Sequence, residues 1–180
     1  MTAGRNVASR KSLQLETRYN TNFTAVWDAI NGSTRSSVAL VGQYSTTGTG
    51  FTTVSDGTNT FSLAVTSGTY AFRAYMCYSG NSGGTGKFQV NCGIATAALM
   101  SLTCNTATAS TFIKVATPSA GMSTPALTST AAGAVIEGTV VVSGTGTISI
   151  AGGENNSGDS MTVDQGSYFE IFPVTSSIIA

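Results

Sequence analysis

The acidic side chains of this 180-residue chain are the first candidates for chemistry, because two carboxylates can together catalyse glycoside hydrolysis. Asp56, Asp159, Asp164 and Glu170 could supply such a pair. Their positions in the sequence do not show that any two lie the required 5–9 Å or so apart. Since the chain has only eight acidic residues, ordinary surface roles explain them more simply, and we expect no catalytic residue.

The absence of histidine removes several kinds of site from consideration. Ser-His-Asp and Cys-His catalysis both need an imidazole, and so does a histidine-ligated metal. Two glycine-rich segments, Gly83-Gly-Thr-Gly86 and Gly144-Thr-Gly-Thr, resemble phosphate-binding loops only superficially, because no lysine and helix start follow them. We therefore predict a protein that is not an enzyme and needs no cofactor.

The segment from Gly152 to Asp159 contains two acids and several amide and hydroxyl oxygens, which are the ligands that calcium prefers. It lacks the alternating Asp/Asn ligands and the terminal Glu of an EF-hand. We interpret it as a solvated hairpin loop and expect no metal site.

Four tyrosines, Tyr70, Tyr75, Tyr78 and Tyr168, could form an aromatic platform for a sugar. Packing in a core or an interface is the more common use of such residues. We retain the platform as an alternative to packing.

Three cysteines, Cys77, Cys92 and Cys104, are an odd number and have no Cys-x-x-Cys spacing. We interpret them as buried or half-buried small hydrophobic residues in a reducing compartment. One disulfide with one remaining thiol is the alternative, and no functional role can be assigned to them.

The composition is that of a β-protein with few charges. Only 9% of the residues are charged and the net charge is zero, so we expect no nucleic-acid partner. Serine and threonine make up about 29% of the chain and 21 residues are glycine, which favours short strands and tight turns. No run approaches 18 apolar residues and no apolar segment follows the basic amino terminus, so we expect neither a membrane span nor a signal peptide.

The first 40 residues differ in charge from the rest. They carry five of the eight basic residues against two acids, a net +3, which leaves −3 for the remainder. Phe23, Val26, Trp27 and Ile30 recur at the spacing of one helix face. We therefore predict an N-terminal arm over residues 1–45, with a short amphipathic helix at about 22–31 that packs on the β-body or on another chain.

From about residue 37 the hydrophobic period is two, which predicts strands. The predicted strands are Ser37–Tyr44, Thr60–Thr66, Tyr70–Tyr78, Lys87–Cys92, Ala97–Thr103, Thr111–Val115, Val135–Ser143, Thr145–Ala151, Ser160–Asp164 and Tyr168–Val174. Ser67-Gly68 would join the second and third as a tight hairpin. About ten short strands predict an all-β fold over residues 46–180, an antiparallel β-sandwich of jelly-roll type.

Two stretches of these strands resemble the structural proteins of tailed-bacteriophage virions. One runs from Phe61 through Gly68-Thr-Tyr to Met76 and continues at Gly86-Lys-Phe. The other comprises Glu137-Gly-Thr-Val-Val-Val, Gly146-Thr-Ile-Ser-Ile-Ala and the closing Gly166-Ser-Tyr-Phe-Glu-Ile-Phe-Pro. The resemblance covers roughly residues 50–175. It implies a compact β-sandwich, often trimeric, mounted on a virion as a capsid decoration (cement) protein, head fibre or tail-fibre module.

The resulting hypothesis is a cement protein that stabilises the head as a homotrimer on the outer surface of the capsid, after assembly in the bacterial cytoplasm. Its partners would be copies of itself and the major capsid protein. The candidate interface residues are Arg5, Arg10, Lys11, Arg18, Phe23, Trp27, Ile30, Ile178 and Ile179. The alternative is a tail-fibre or head-fibre module that binds host surface glycan.

Alternation fails at Ile171 and Phe172, two adjacent apolar residues in the last strand. Either one of them faces another subunit or the strand contains a bulge.

Overall fold

The computed structural model describes residues 35–80, 85–105, 110–117, 121–123 and 132–174. All secondary-structure elements within these ranges are β-strands. The described residues contain no helix that could cross a membrane. The strands are β1 (Ser36–Ala39), β2 (Tyr44–Thr46), β3 (Thr52–Thr53), β4 (Ser62–Val65), β5 (Gly68–Gly80), β6 (Gly86–Asn91), β7 (Ala95–Asn105), β8 (Ser110–Val115), β9 (Gly121–Ser123), β10 (Ala132–Val142), β11 (Gly146–Glu154), β12 (Met161–Val163) and β13 (Tyr168–Pro173).

These strands form two antiparallel sheets, which confirms the all-β prediction. The larger sheet has eight strands in the order β1-β13-β5-β10-β7-β8, and β12 pairs with both β5 and β2. The smaller sheet has five strands in the order β3-β11-β6-β9, with β4 also paired to β11. All ten predicted strands are present, although the first is divided into β1 and β2.

The predicted arm lies mostly outside the described residues, and so does the predicted helix at about 22–31. Residues 36–46, at the end of the segment assigned to the arm, contribute β1 and β2 to the larger sheet. The division into an arm over 1–45 and a sandwich over 46–180 otherwise stays a prediction.

The predicted hairpin at Ser67-Gly68 is wrong. β4 pairs with β11 in the smaller sheet, whereas β5 pairs with β10, β12 and β13 in the larger one. The Tyr70 hydroxyl accepts a hydrogen bond from the Thr66 amide (3.2 Å) and donates one to the Thr66 carbonyl (3.1 Å). This short connection therefore crosses from one sheet to the other. The sequence did not distinguish the two cases, because alternating strands joined by a tight turn are compatible with a crossing as well as with a hairpin.

Apolar side chains from both sheets meet in one core, the arrangement of a β-sandwich. Tyr78 of the larger sheet packs edge-on against Phe88 of the smaller one, with 5.6 Å between ring centroids. The Tyr78 hydroxyl also lies 2.6 Å from the Cys104 sulfur. All three cysteines are free thiols; Cys92 and Cys104 are buried and Cys77 is half-buried, as the packing interpretation predicted.

The structure excludes the bulge at Ile171 and Phe172, and a contact of one of them with another subunit stays a prediction. Pairing between β13 and β5 runs without a break from Tyr168 to Pro173, so this pairing contains no bulge. Ile171 is buried in the core, whereas Phe172 is only half-buried and lies on the opposite face of the sheet. The candidate functional site lies on that opposite face of the larger sheet.

Candidate functional site on the larger sheet

The face of the larger sheet that points away from the core carries the candidate site. Along β5, core residues such as Phe72, Ala74 and Met76 alternate with Arg73 and Tyr75, which are exposed. Successive side chains of a strand point to opposite faces, so Arg73, Tyr75 and their register partners share one surface. We call this surface the outer face.

One row across the outer face contains four charged residues and a serine. Glu170 of β13 lies opposite Arg73 of β5, and Arg73 lies opposite Glu137 of β10. Glu137 is opposite Ser101 of β7, which is opposite Lys114 of β8. The four charges alternate in sign and cancel, and we call these residues the charge row.

The ion pair at the centre of the charge row is direct and exposed. Arg73 donates to one Glu137 carboxylate oxygen from Nη2 (3.0 Å) and from Nε (3.3 Å). These hydrogen bonds raise the pKa of the Arg73 guanidinium above its ordinary value. About half of each side chain remains exposed, so the pair itself contributes little to stability.

Arg35 covers one end of the charge row. Its guanidinium forms an ion pair with Glu170 and lies over the Phe172 ring, 5.7 Å from the centroid. Glu170 is buried in this position. Its charge is therefore neutralised within the chain, whereas Lys114 at the other end stays exposed.

An aromatic row borders the charge row on one side. Tyr168 lies opposite Tyr75, and the row continues through Val135 and Thr103 to Phe112. The Tyr75 and Tyr168 rings stack with centroids 6.0 Å apart and 24° between planes. Phe112 is 69% exposed, the largest exposed fraction among the apolar side chains described as exposed.

A third row borders the charge row on its other side. It runs from Phe172 through Ala71 and Thr139 to Leu99, which is 46% exposed. Two hollows lie on either side of β10, and both are lined by Glu137, Gly138 and Thr139. The outer face is thus an uneven surface on which apolar side chains flank alternating charges.

The structure separates the four tyrosines considered for a sugar platform. Tyr70 and Tyr78 are buried in the core, so the four-residue platform is wrong and the packing interpretation is confirmed for these two. Tyr75 and Tyr168 share the outer face as a stacked pair.

The four acids considered for catalysis lie on separate elements. Asp56 lies between β3 and β4, Asp159 between β11 and β12, Asp164 between β12 and β13, and Glu170 within β13. Asp56 accepts hydrogen bonds from backbone amides, Asp164 accepts a hydrogen bond from the side-chain amide of Gln43 (3.0 Å), and Glu170 pairs with Arg35. Among the described residues, no cluster of three or more His, Cys, Asp or Glu could hold a metal ion.

The candidate interface residues from the sequence are Arg5, Arg10, Lys11, Arg18, Phe23, Trp27, Ile30, Ile178 and Ile179, and all nine lie outside the described residues. The exposed residues of the outer face, notably Arg73, Leu99, Phe112 and Glu137, were not predicted as a site. The sequence pattern assigns each of these residues to a predicted strand, but only strand pairing and register bring them together on one face.

No family model and no curated protein matches this chain. Among solved structures, the chain is similar to TmCBM61, a carbohydrate-binding module solved in complex with beta-1,4-galactotriose. The identity is 13%, the match covers 77% of this chain and 69% of that one, and the TM-score is 0.20. With a TM-score this low, the similarity carries no argument about function.

Proposed function

We propose that this chain is a non-enzymatic structural protein that associates with copies of itself, as a homotrimer, through the outer face. The observation that supports the proposal is the exposure of Phe112 and Leu99 on either side of the neutral charge row. Exposed apolar side chains gathered on one face are typical of protein interaction sites.

The chemistry of the outer face favours a second copy as its partner. Burying Phe112, Leu99 and Tyr75 would remove apolar area from water, at about 25 cal/mol per Å². With Arg35 included, the charges of the outer face sum to only +1, so two such faces can approach with little net repulsion. Closed symmetry around a threefold axis would bury this face in every copy and end further growth.

We place this assembly on the virion of a tailed bacteriophage, as a capsid decoration protein with a jelly-roll body. The support is the resemblance of the Phe61–Met76 and Glu137–Pro173 segments to such proteins, together with the two antiparallel sheets. The major capsid protein would be the second partner, contacted by the N-terminal arm.

The mass of the protein in solution tests self-association. We expect sedimentation equilibrium to give three times the chain mass of 18.2 kDa for the natural protein. Replacing Leu99 and Phe112 together by serine should give the single-chain mass. The control is Val41→Ser, which removes an apolar side chain from the loop between β1 and β2 whose exposed fraction lies between those of Leu99 and Phe112. A monomeric natural protein, or a double variant that remains trimeric, would contradict the proposal.

Virion stability tests the decoration role separately. Capsids that lack this chain should lose their contents at lower temperature or weaker osmotic shock than complete capsids. Equal resistance of the two preparations would exclude a cement role while leaving self-association intact. A reconstruction of the virion would locate the trimer.

Glycan binding by a head-fibre or tail-fibre module is the second candidate, favoured by the stacked Tyr75–Tyr168 pair on the outer face. Nearly parallel, accessible rings can pack against the apolar face of a sugar. Binding on a glycan array should be lost in Tyr75→Ala and kept in Val41→Ser. Undiminished binding by Tyr75→Ala, or no binding by the natural protein, would dismiss this candidate.

A further inference from the structure

Glu154, the last residue of β11, is a carboxylate enclosed in the protein without a partner. It is 0% exposed, and neither of its carboxylate oxygens has a hydrogen-bond partner. A side chain at Gly152, two residues earlier, would contact Met161, Tyr44 and Val54. Residues two apart share a face of a strand, so Glu154 lies on the core side of β11.

A buried carboxylate of this kind needs a counter-charge, because moving an unpaired ion out of water costs several kcal/mol. Of the four described cations, Lys114 belongs to the larger sheet and the other three are engaged elsewhere. Arg35 pairs with Glu170, Arg73 pairs with Glu137, and Lys87 lies over the Phe51 ring at 4.8 Å. Protonation would remove the charge but would still leave the oxygens of Glu154 without hydrogen bonds.

A second acid, Asp159, lies in the turn that follows Glu154, between β11 and β12. Burial raises the pKa of Glu154 to about 7, and the negative charge of Asp159 contributes to the rise. The intervening turn brings Asp159 back toward the strand end: Gly158 has φ +95°, and the Asn156 amide donates to Asp159 (3.2 Å).

Neutral oxygen atoms also lie at this end of β11. The Glu154 amide donates to the Gly48 carbonyl (2.9 Å), and the Asn155 side-chain amide donates to the Thr85 hydroxyl (3.0 Å). The Tyr44 hydroxyl, bonded to the Gly152 carbonyl (3.2 Å), is close enough that the charge of Glu154 helps to raise its pKa, after the larger effect of burial.

We propose that Glu154 and Asp159 bind a calcium ion at this end of the core. Calcium takes six to eight oxygen ligands in flexible geometry, so two carboxylates can be completed by carbonyl oxygens, amide oxygens and water. Zinc and other softer metals favour histidine or thiolate ligands, which neither carboxylate provides. The cation would neutralise Glu154 and give its buried oxygens their missing partner.

Thermal unfolding of the full chain, with and without calcium, tests the site. Protein stripped with EDTA and dialysed should melt on the order of 5 °C higher in millimolar calcium chloride at pH 8. Glu154→Gln should melt higher than the natural protein in EDTA, because it removes the buried charge, and should not respond to calcium. Asp159→Asn should need more calcium for the same response.

Asp164→Asn is the matched control, because it neutralises a half-buried acid of the next turn and should keep the full calcium response. Isothermal titration with calcium chloride should find one site per chain. An unchanged melting temperature of the natural protein in calcium would overturn the proposal. An undiminished response of Glu154→Gln would do the same, since the ion would then bind elsewhere. Neither result bears on self-association through the outer face.

Discussion

Asp56 organises the connection between β3 and β4. Its carboxylate accepts hydrogen bonds from the backbone amides of Asn59 (2.7 Å), Gly42 (2.9 Å), Thr58 (2.8 Å) and Val41 (2.6 Å). These bonds favour the charged form and lower the pKa of Asp56 from its ordinary 3.8 to about 2. The ionised side chain therefore holds two loops together, which is a structural role.

Glu154 has the opposite protonation behaviour. Its pKa lies at about 7 in the folded chain, above its ordinary value of 4.5, because burial penalises the charged form. Below pH 4.5 Glu154 is neutral in both the folded and the unfolded chain, so it does not oppose folding. As the pH rises from 4.5 through 7, ionisation of Glu154 favours the unfolded chain and lowers the stability of the folded one.

These two residues predict the pH dependence of stability in EDTA. Asp56 should make the natural protein less stable as the pH falls from 3.8 toward 2, and Glu154 as the pH rises from 4.5 to 7. The loss from Glu154 should reach roughly 3 kcal/mol by pH 8. Urea unfolding from pH 2 to 9 measures both losses of stability, which we call the acid limb (Asp56) and the neutral limb (Glu154).

The matched variants each remove one limb. Glu154→Gln should flatten the neutral limb and leave the acid limb, whereas Asp56→Asn should flatten the acid limb. A natural protein that becomes more stable between pH 5 and 8 in EDTA would contradict the assignment of Glu154.

At the scale of the elements, the packing of β10 against β7 depends on a glycine, Gly138. Its pairing with β5 and β7 fixes the backbone on both sides of Gly138. A Cβ atom built at Gly138 would lie 2.9 Å from the Met100 Cα and collide with the Leu99 carbonyl oxygen. The close approach of β7 and β10 therefore requires glycine here.

Gly138→Ala should lower the free energy of unfolding by about 1–3 kcal/mol, because the clash is with backbone that cannot rotate away. Gly133→Ala in the same strand is the control, since the atom nearest to a Cβ at that position would be the Tyr75 hydroxyl oxygen, at 3.9 Å. The control should be neutral or slightly stabilising through the unfolded state. Equal stability of the two variants in urea would refute the packing argument.

The crossing from β4 to β5 depends on the Tyr70 hydroxyl, which bonds both backbone groups of Thr66. Tyr70→Phe should cost about 1 kcal/mol in the free energy of unfolding, because two backbone groups lose a partner. Tyr168→Phe removes a tyrosine hydroxyl from the outer face and serves as the comparison. A loss in Tyr70→Phe no larger than in Tyr168→Phe would show that the hydroxyl does not stabilise the crossing.

At the scale of the whole molecule, the charge row determines whether two copies can approach. Arg73→Glu would place three acids side by side across β13, β5 and β10. We expect it to weaken self-association about tenfold or more, since like charges brought together in an interface are strongly unfavourable. Lys87→Glu makes the same charge change on the smaller sheet and should leave the association unchanged. Concentration-dependent sedimentation velocity compares the two, and equal weakening would contradict the assignment of the interface to the outer face.

Individual strands were predictable because a strand with one buried face shows a two-residue hydrophobic period in the sequence. Tyr70, Phe72, Ala74 and Met76 alternate with polar or small residues, and β5 contains all four. Sheet membership was not predictable, since β4 and β5 have a hairpin pattern and yet belong to different sheets. The burial of Glu154 was not predictable from the sequence either, because the polar residues after it resemble a solvated loop.

The sequence by itself determined that this protein is built from short strands, with few charges and without the imidazole that many catalytic and metal sites need. Local alternation and turn residues are enough for that, because they depend on neighbours within a few positions. Tertiary structure decided which strands pair and in what register. Register placed Glu170, Arg73, Glu137 and Lys114 in one row, although nearly a hundred positions separate the first two. Such a surface depends on contacts between distant segments, and only the folded chain makes them.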